Sequence, residues 1–232
     1  PRAMKELTGL DYYRAGLFVP GAAILQPAAY IRGLARGLES EGVELYEQSP
    51  VTRIEFGPDH VAHTPRGRIT APKIILGVNG HAESVGFYRR RLVHVFTYAS
   101  MTRELTADEV KRLGGQPEWH SVSAEPMGTS VRRIRGNRIV VRTRFTYDPS
   151  MEVGDGRIRH VGRQHQEAFG WRFPMLPNVK MEYCWGGRLC LSRNGVPAFG
   201  EVDDGVYSAV CQNGLGTAKG TLAGMAAAEL AT

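Results

Sequence analysis

The sequence predicts an α/β part, built on a parallel sheet, that is interrupted by an α+β part built on an antiparallel sheet. A strong helix beginning at Pro27 is followed by short strands and by the continuous apolar run Ile74–Val78, a pattern typical of a buried parallel strand. Residues 86–180 alternate loosely between polar and apolar side chains and contain two helix patterns, as in an antiparallel sheet with helices on one face. A last apolar strand then leads through a glycine turn into a helix of small residues at 207–228.

The composition is that of an ordinary globular protein. Of the 232 residues, 42% are hydrophobic and 22% are charged, and no apolar run approaches the roughly 20 residues that a membrane-spanning helix needs. Cys184, Cys190 and Cys211 have no metal-binding spacing, so we expect buried, reduced thiols and a cytoplasmic protein. The histidines are scattered, so we predict no metal site. No apolar signal segment follows Pro1, and because the chain does not begin with Met we expect it to begin inside a longer protein.

The positive charge permits two interpretations. The net charge is +6, and much of it comes from arginine clusters such as Arg89–Arg91 and Arg132–Arg133. A basic protein can bind nucleic acid, or its arginines can form solvated faces and small-anion contacts. Because no recognition-helix pattern or row of stacking aromatics accompanies the arginines, we predict a small-molecule partner and no nucleic acid. The sequence does not indicate the oligomeric state.

The order of elements follows from local signals. Pro27 suits the first turn of a helix, and Gly42 suits its end. Thr106 followed by Glu109 is a capping box, which marks the start of another helix. We expect further helices at 3–10 and 155–169, and strands at 43–46, 51–56, 60–64, 68–70, 74–78, 91–101, 137–145, 181–192 and 196–200.

The turn after the last strand is the strongest local candidate for a binding site. In Asn213-Gly214-Leu215-Gly216-Thr217, the first two residues tolerate positive φ, and the following helix directs its free N–H groups at the turn. Such a helix start favours an anion or an electron-rich carbonyl. The alternative is a plain strand–turn–helix with tight packing, and the turn alone does not distinguish the two.

Four stretches in this order resemble the D-amino-acid-oxidase-type family of FAD-dependent oxidoreductases. They are the helix and strands of 26–56, the buried strand and turn Ile74–His81, the run Trp185-Gly186-Gly187 with Arg193–Gly200, and the turn 212–217 with its helix. The resemblance implies a partial FAD-binding domain (Rossmann-like, glutathione-reductase-type) at 1–85, an inserted substrate-binding α+β domain at 86–180, and a return segment of the FAD-binding domain at 181–232.

The resemblance has one large departure. The family opens with a strand, a G-x-G-x-x-G turn and a helix that hold the FAD pyrophosphate, and nothing in this sequence matches that segment. We therefore expect the chain to be the C-terminal portion of a longer flavoprotein that lacks this N-terminal Rossmann segment.

The resemblance implies FAD as cofactor and an amine or amino acid as substrate. In such enzymes the C–H beside an amine nitrogen gives a hydride to flavin N5, and the resulting imine hydrolyses. The amides after the glycine turn would face the flavin carbonyl edge, where negative charge develops on reduction. The residues implied to contact FAD are Val51, Gly77, Asn79, Gly80, Pro197, Gly200, Asn213, Gly214, Leu215, Gly216 and Thr217.

Substrate contacts are less well defined by the sequence. Catalysis is centred on the flavin, and we name Tyr98, Arg142, Arg144 and Trp185 as candidates. An arginine would clamp a substrate carboxylate through paired hydrogen bonds, and the alternative is a solvated strand residue. Trp185 would wall the site, and the alternative is packing in the core. Two other functions stay open: a non-catalytic flavoprotein fragment that serves in binding or assembly, and a basic nucleic-acid-binding protein.

Overall fold

The computed structural model describes residues 1–125 and 127–232. The helices are α1 (Arg2–Thr8), α2 (Pro27–Ser40), α3 (Ala107–Leu113), α4 (Asp155–Arg172) and α5 (Gly216–Ala231), with one 3₁₀ helix at Asn79–Glu83. The strands are β1 (Arg53–Glu55), β2 (His60–Thr64), β3 (Gly67–Ala71), β4 (Ile74–Leu76), β5 (Leu92–Thr102), β6 (Trp119–Val122), β7 (Ser130–Ile134), β8 (Arg138–Tyr147), β9 (Met181–Ser192), β10 (Ala198–Asp203) and β11 (Val206–Val210).

The chain forms two compact units. The first unit comprises residues 1–24 and 95–188, and the second comprises residues 25–94 and 189–232. The predicted mixed α/β and α+β class is confirmed, since one unit carries an antiparallel sheet and the other contains a parallel strand pair.

The first unit is built on a five-stranded sheet in the order β6-β7-β8-β5-β9. The side chains of one face of β7 and β8 alternate into the core, where Val131, Ile139 and Val141 join Phe169 of α4. The rings of Phe169 and Phe173 stack there with centroids 4.5 Å apart. The helix α4 therefore covers one face of the sheet, which agrees with the predicted helices on one face.

Residues 1–24 belong to this first unit, whereas the sequence placed them with the following helix and strands. Leu10 is fully buried in the same core as Leu105 and Leu113. The backbone of Gln116 donates a hydrogen bond to the Leu7 carbonyl at 2.8 Å. The first residues of β9, up to Arg188, also lie in this unit, although we predicted a return to the other domain at residue 181. In both cases the packing partners are distant in sequence, so no local signal marks the boundary.

The second unit contains two small sheets. The order β10-β11-β4 joins an antiparallel pair to a parallel pair, and the order β1-β2-β3 is a meander that includes the predicted hairpin. The helix α5 packs against the first of these sheets and buries Ala227. Because α5 directly follows β11, its N-terminus lies at the carboxyl end of that strand.

Three strand predictions in this unit differ from the structure. Residues 43–46 form no strand, because no neighbouring segment pairs with their backbone, and the strand predicted at 51–56 shortens to β1. The apolar run at 74–78 is a strand only over Ile74–Leu76, and it is not buried on both faces: Leu76 is 3% exposed but Ile75 is 43% exposed. The strand β4 lies at the edge of its sheet, so its outer side lacks a neighbour among the described residues.

Two further observations bear on the composition. Cys190 and Cys211 are buried as expected, whereas Cys184 is only half-buried. In the part of the chain that the structure describes, no helix combines the length and apolar character needed to cross a membrane.

Candidate functional site

The candidate cofactor site lies where two parallel strands end. The strands β4 and β11 pair in parallel with Ile74 opposite Val206 and Leu76 opposite Ser208, so their carboxyl ends lie at one edge of the sheet. Ligands of open α/β sheets bind at this edge, in the loops that follow the strands. Here those loops are the 3₁₀ turn that begins at Asn79 and the glycine turn that leads into α5.

A side chain joins the two loops. The Oδ1 atom of Asn79 accepts a hydrogen bond from the backbone N–H of Cys211 at 3.1 Å. Both residues have positive φ, 49° for Asn79 and 60° for Cys211. The structure therefore brings the predicted residues Gly77, Asn79 and Gly80 close to the loop that starts at Cys211 and contains the predicted run Asn213–Thr217.

A second asparagine fixes the glycine turn to the end of β9. Asn213 Oδ1 accepts a hydrogen bond from the Ser192 backbone N–H at 2.8 Å, and Asn213 Nδ2 donates to the Cys211 carbonyl at 3.1 Å. Ser192 Oγ in turn donates to the Val196 carbonyl at 2.6 Å. This chain of bonds connects the turn before Pro197, another predicted residue, to the glycine turn.

The first turn of α5 is open to a ligand. Leu215 is the N-cap residue and makes no side-chain capping bond, so the N–H groups of the first turn have no side-chain acceptor at this cap. Leu215, Gly216 and Thr217 are all exposed. Exposed helix N–H groups and the helix dipole favour an anion or an electron-rich carbonyl at this position. Gly214 has φ of 85°, which explains a glycine there without reference to any ligand.

Two other predicted glycines, Gly77 and Gly216, have no internal reason to be glycine. A Cβ atom added to Gly77, Gly200 or Gly216 would meet no atom within 4 Å in the described part of the chain. Two of them, Gly77 and Gly216, also lack the positive φ that favours glycine, whereas Gly200 has φ of 117°. Open space at glycines beside a bare helix start fits a flat cofactor that approaches the backbone closely. The residues present at this edge therefore fit the flavin part of FAD.

Val51 lies apart from these loops in the fold. It is half exposed and precedes β1, which belongs to the meander sheet and not to the sheet that contains β4. The neighbouring Thr52 N–H donates to the His63 carbonyl at 2.8 Å, so the backbone here is held to β2. The predicted FAD contact at Val51 stays a prediction.

The four substrate candidates lie in the first unit, in different environments. Tyr98 is fully buried beside Phe96 and Val161, and its hydroxyl lies 2.7 Å from Thr146 Oγ1. Trp185 is 43% exposed. Its neighbour Gly186 lies on the α4 side of the sheet. A Cβ atom added to Gly186 would lie 3.2 Å from Phe96, and Phe96 packs with Val161 of α4. Side chains alternate along a strand, so Trp185 lies on the opposite face.

Arg142 and Arg144 also separate, although they are two residues apart. Arg142 Nη2 donates to Ser130 Oγ at 2.8 Å. Arg144 occupies a bulge with φ of 67°, where the pairing of β5 with β8 shifts register. Its side chain lines a cavity of about 430 Å³ together with Gln164 and His165 of α4. The structure thus brings Arg142 and Trp185 to the face opposite α4 and leaves Tyr98 and Arg144 on the α4 side.

The sequence prediction missed three residues around Arg142. Ser130 is directly opposite Arg142, and His120 is directly opposite Arg132, which lies two residues after Ser130. Burial lowers the pKa of Arg142, and so does the nearby Arg132. The pKa of His120 is lowered by burial and then by these two arginines. The two-residue spacing of Ser130 and Arg132 indicates that both side chains lie on one face of a strand. The sequence does not indicate the strand register that brings Arg142 beside them.

Comparison with known proteins places this arrangement in context. A family model described as FAD-dependent oxidoreductase (DAO) matches residues 1–230. A probable oxidoreductase OrdL of Haemophilus influenzae is 25% identical and is matched over 97% of this chain and 51% of its own length. Gamma-glutamylputrescine oxidoreductase of Escherichia coli is also 25% identical, over 98% of this chain and 52% of its own length. The chain thus spans about half the length of the curated relatives it matches.

Solved structures agree on the fold. The glycine oxidase of Geobacillus kaustophilus superposes with a TM-score of 0.69 at 20% identity, covering 86% of this chain and 52% of that protein. The L-proline dehydrogenase of P. horikoshii superposes with a TM-score of 0.68 at 18% identity, covering 89% of this chain and 55% of that protein. At these identities the similarity concerns the fold alone.

Proposed function

The chain belongs to the family of FAD-dependent oxidoreductases, and from that premise we propose that the full-length protein oxidises an amine or amino acid at the C–H bond beside its nitrogen. The family is FAD-dependent, so the predicted cofactor is confirmed at the level of the family. The reaction and the roles of individual residues are part of the proposal.

One observation carries the proposal. The loops after two neighbouring parallel strands meet through the Asn79–Cys211 hydrogen bond, and the second loop leads into the uncapped start of α5. This geometry supports a site for the electron-rich edge of a flavin. FAD, when bound, supplies the two-electron acceptor for the hydride that leaves the substrate carbon.

The chain's own residues then have three roles in this proposal. The N–H groups of Gly216 and Thr217 stabilise negative charge at the helix start. Asn79 and Asn213 hold the two loops in register and so orient those N–H groups. The face of the first unit's sheet opposite α4, with Arg142 and Trp185, receives the substrate. The imine product needs only water to hydrolyse, so the proposal requires no dedicated base.

The names of similar proteins support an amine or amino acid. One curated relative is a gamma-glutamylputrescine oxidoreductase, and solved neighbours include a glycine oxidase and an L-amino acid deaminase from Proteus vulgaris. All three names refer to compounds that carry an amine. The common feature we propose for this protein is oxidation beside that nitrogen.

The test is anaerobic bleaching of the flavin in the purified full-length protein. A panel of amino acids, N-methyl amino acids and polyamines is added in turn, and the visible spectrum is recorded. We expect at least one class of amine to bleach the flavin. A protein that holds flavin but is bleached by dithionite and by no amine would contradict the proposal and would favour a non-catalytic binding role.

A further inference from the structure

The cavity of about 430 Å³ between β8 and α4 has no role in the proposed reaction. We call it the α4 cavity. The residues that line it include Met127 in the segment before β7, Thr143 and Arg144 of β8, and Gln164, His165 and Ala168 of α4. The face that the proposed function gives to the substrate is on the other side of the sheet, so the α4 cavity is a separate place in the molecule.

A buried histidine in the wall of this cavity has an unpartnered atom. His165 is 1% exposed, and its Nδ1 atom lies 2.7 Å from Ser100 Oγ on β5. The other ring nitrogen, Nε2, points away from that contact. It is buried and has no hydrogen-bond partner among the described residues. A buried polar atom without a partner is costly, so a ligand that supplies a partner is favoured here.

The surroundings of the His165 ring determine its protonation. Burial lowers the pKa of His165, the nearby Thr143 carbonyl opposes this, and the positive charge of Arg144 adds to the lowering. The imidazole is therefore neutral at neutral pH and carries a single N–H. When the Ser100 hydroxyl donates to Nδ1, that N–H lies on Nε2 and donates to a ligand oxygen.

Arg144 brings a positive charge to the same cavity. It is exposed, and it forms no ion pair in the part of the chain that the structure describes. Arg138 on the same strand, by contrast, is paired with Glu182. The backbone of Arg144 has φ of 67°, which is uncommon for a residue other than glycine, and the bulge there directs its side chain to the α4 cavity. A guanidinium without a counter-charge, beside a buried N–H, favours an anion.

The size and the apolar part of the wall define the class of ligand. Met127 and Ala168 contribute apolar surface to the cavity. Sites for small organic molecules have volumes of roughly 300–1000 Å³, a range that includes the α4 cavity. An inorganic ion would leave most of this volume unfilled, whereas an organic group would also cover the apolar surface.

We infer that the α4 cavity is a second small-molecule site, distinct from the substrate face, that binds an organic anion with a flat apolar group. Arg144 neutralises the anionic oxygens, and His165 Nε2 donates a hydrogen bond to one of them. The apolar group lies beside Met127 and Ala168. This inference does not depend on the proposed amine oxidation.

The test compares three probes on the full-length protein: 2-naphthoate, its neutral amide 2-naphthamide, and inorganic phosphate. Titrations followed by saturation-transfer NMR give the dissociation constants. We expect 2-naphthoate to bind more tightly than the other two probes. Arg144→Gln should weaken 2-naphthoate binding by about tenfold or more, because it removes the charged donor. Ala168→Leu should weaken it at least as much, because the larger side chain fills the cavity.

Two matched variants locate the bound anion. Arg159→Gln removes an exposed arginine of the same helix that does not line the cavity, and we expect no change in binding. Arg142→Gln removes a charge from the opposite face of the sheet, and we expect no change there either. Thermal unfolding checks the fold of each variant. If Ala168→Leu is destabilised, the comparison of Arg144→Gln with Arg159→Gln decides, since both positions are exposed.

Several outcomes would overturn the inference. They are no binding of 2-naphthoate, equal affinities for 2-naphthoate and 2-naphthamide, tighter binding of phosphate than of 2-naphthoate, and wild-type affinity in Arg144→Gln. Loss of binding in Arg142→Gln would also overturn it, because the anion would then lie on the substrate face. None of these outcomes bears on the flavin-bleaching panel, so the proposed function is judged separately.

Discussion

Asn79 Oδ1 accepts the backbone N–H of Cys211 at 3.1 Å, and this hydrogen bond joins the loops that follow two neighbouring parallel strands. Both residues adopt positive φ, so the first loop turns at Asn79, shortly after β4 ends at Leu76, and the second turns at Cys211, directly after β11. The bond holds the start of the glycine turn beside the turn after β4. We regard this connection as the structural basis of the candidate cofactor site.

The first prediction concerns this bond. Asn79→Gly keeps a residue that tolerates φ of 49° but removes the acceptor, whereas Asn79→Asp keeps an acceptor oxygen. We expect Asn79→Gly to lower the free energy of unfolding by about 1 kcal/mol and to weaken FAD retention, and Asn79→Asp to retain most of both. Urea unfolding and flavin content after dialysis measure the two effects. Equal flavin content in Asn79→Gly and wild type would contradict a role of this hydrogen bond in FAD binding.

The second prediction separates packing from cofactor approach. Gly216 and Gly224 both lie in α5, and an added Cβ meets nothing within 4 Å at either. Gly224→Ala should raise the free energy of unfolding by about 0.5–1 kcal/mol, because alanine favours helix. Gly216→Ala should also be tolerated by the fold. We expect only Gly216→Ala to weaken FAD binding, by about tenfold or more, since its methyl group intrudes on the ligand.

Titration with FAD, followed by flavin fluorescence, measures this difference. If both alanine variants bind FAD as wild type does, the first turn of α5 does not approach the cofactor.

The third prediction concerns the pH dependence of stability. Glu109 is 4% exposed and receives two hydrogen bonds from Arg103, at 2.7 and 2.8 Å, and one from the Thr106 backbone N–H. These contacts, led by the Arg103 hydrogen bond, lower the pKa of Glu109 from 4.5 to about 2. A carboxyl with a lowered folded-state pKa stabilises the protein above its unfolded-state pKa and loses that contribution as the pH falls.

We therefore expect stability from Glu109 to be complete above about pH 4.5 and to disappear towards pH 2. Glu109→Gln should cost about 1–2 kcal/mol at neutral pH and should flatten this part of the pH profile. Glu118→Gln, at the exposed pair with Arg135, should cost less than about 0.5 kcal/mol. Urea unfolding at several pH values tests this, and identical acid profiles for both variants would contradict it.

The fourth prediction tests the assignment of residues 1–24 to the first unit. Gly9 and Gly21 have nearly the same φ, 77° and 78°. An added Cβ at Gly9 would lie 2.0 Å from the Leu113 carbonyl oxygen, whereas at Gly21 it would meet nothing within 4 Å. Gly21→Ala should cost about 1 kcal/mol from backbone strain alone, and Gly9→Ala about 3 kcal/mol or more.

Thermal unfolding of the two variants gives the comparison directly. Similar losses for both would mean that the segment before α2 does not pack on the Leu113 region.

Local signals predicted much of the fold. The capping box at Thr106 and Glu109 forms as expected, with both reciprocal hydrogen bonds, and Pro27 occupies the first turn of α2. These features depend on residues within one helical turn, so the sequence contains all the information. Residues 43–46 have the composition of a strand but form none, because a strand also needs a partner backbone, which its own residues do not specify.

The site was predictable in part for the same reason. The glycine turn at Asn213–Thr217 is a local motif, and its helix start lies where the sequence placed it. From their two-residue spacing, Arg142 and Arg144 would lie on one face of the strand, but the structure places them on opposite faces. The cause is a bulge with φ of 67° at Arg144, which has no sequence signature. The pairing of Ser130 with Arg142 depends on the register between strands, and the sequence alone does not set that register.

The visible absorption spectrum of the full-length protein tests the central claim most directly. We expect flavin bands in the purified protein, or their appearance after incubation with FAD and removal of the excess. A protein that is folded by circular dichroism but shows no flavin band, and takes up no FAD on reconstitution, would contradict it.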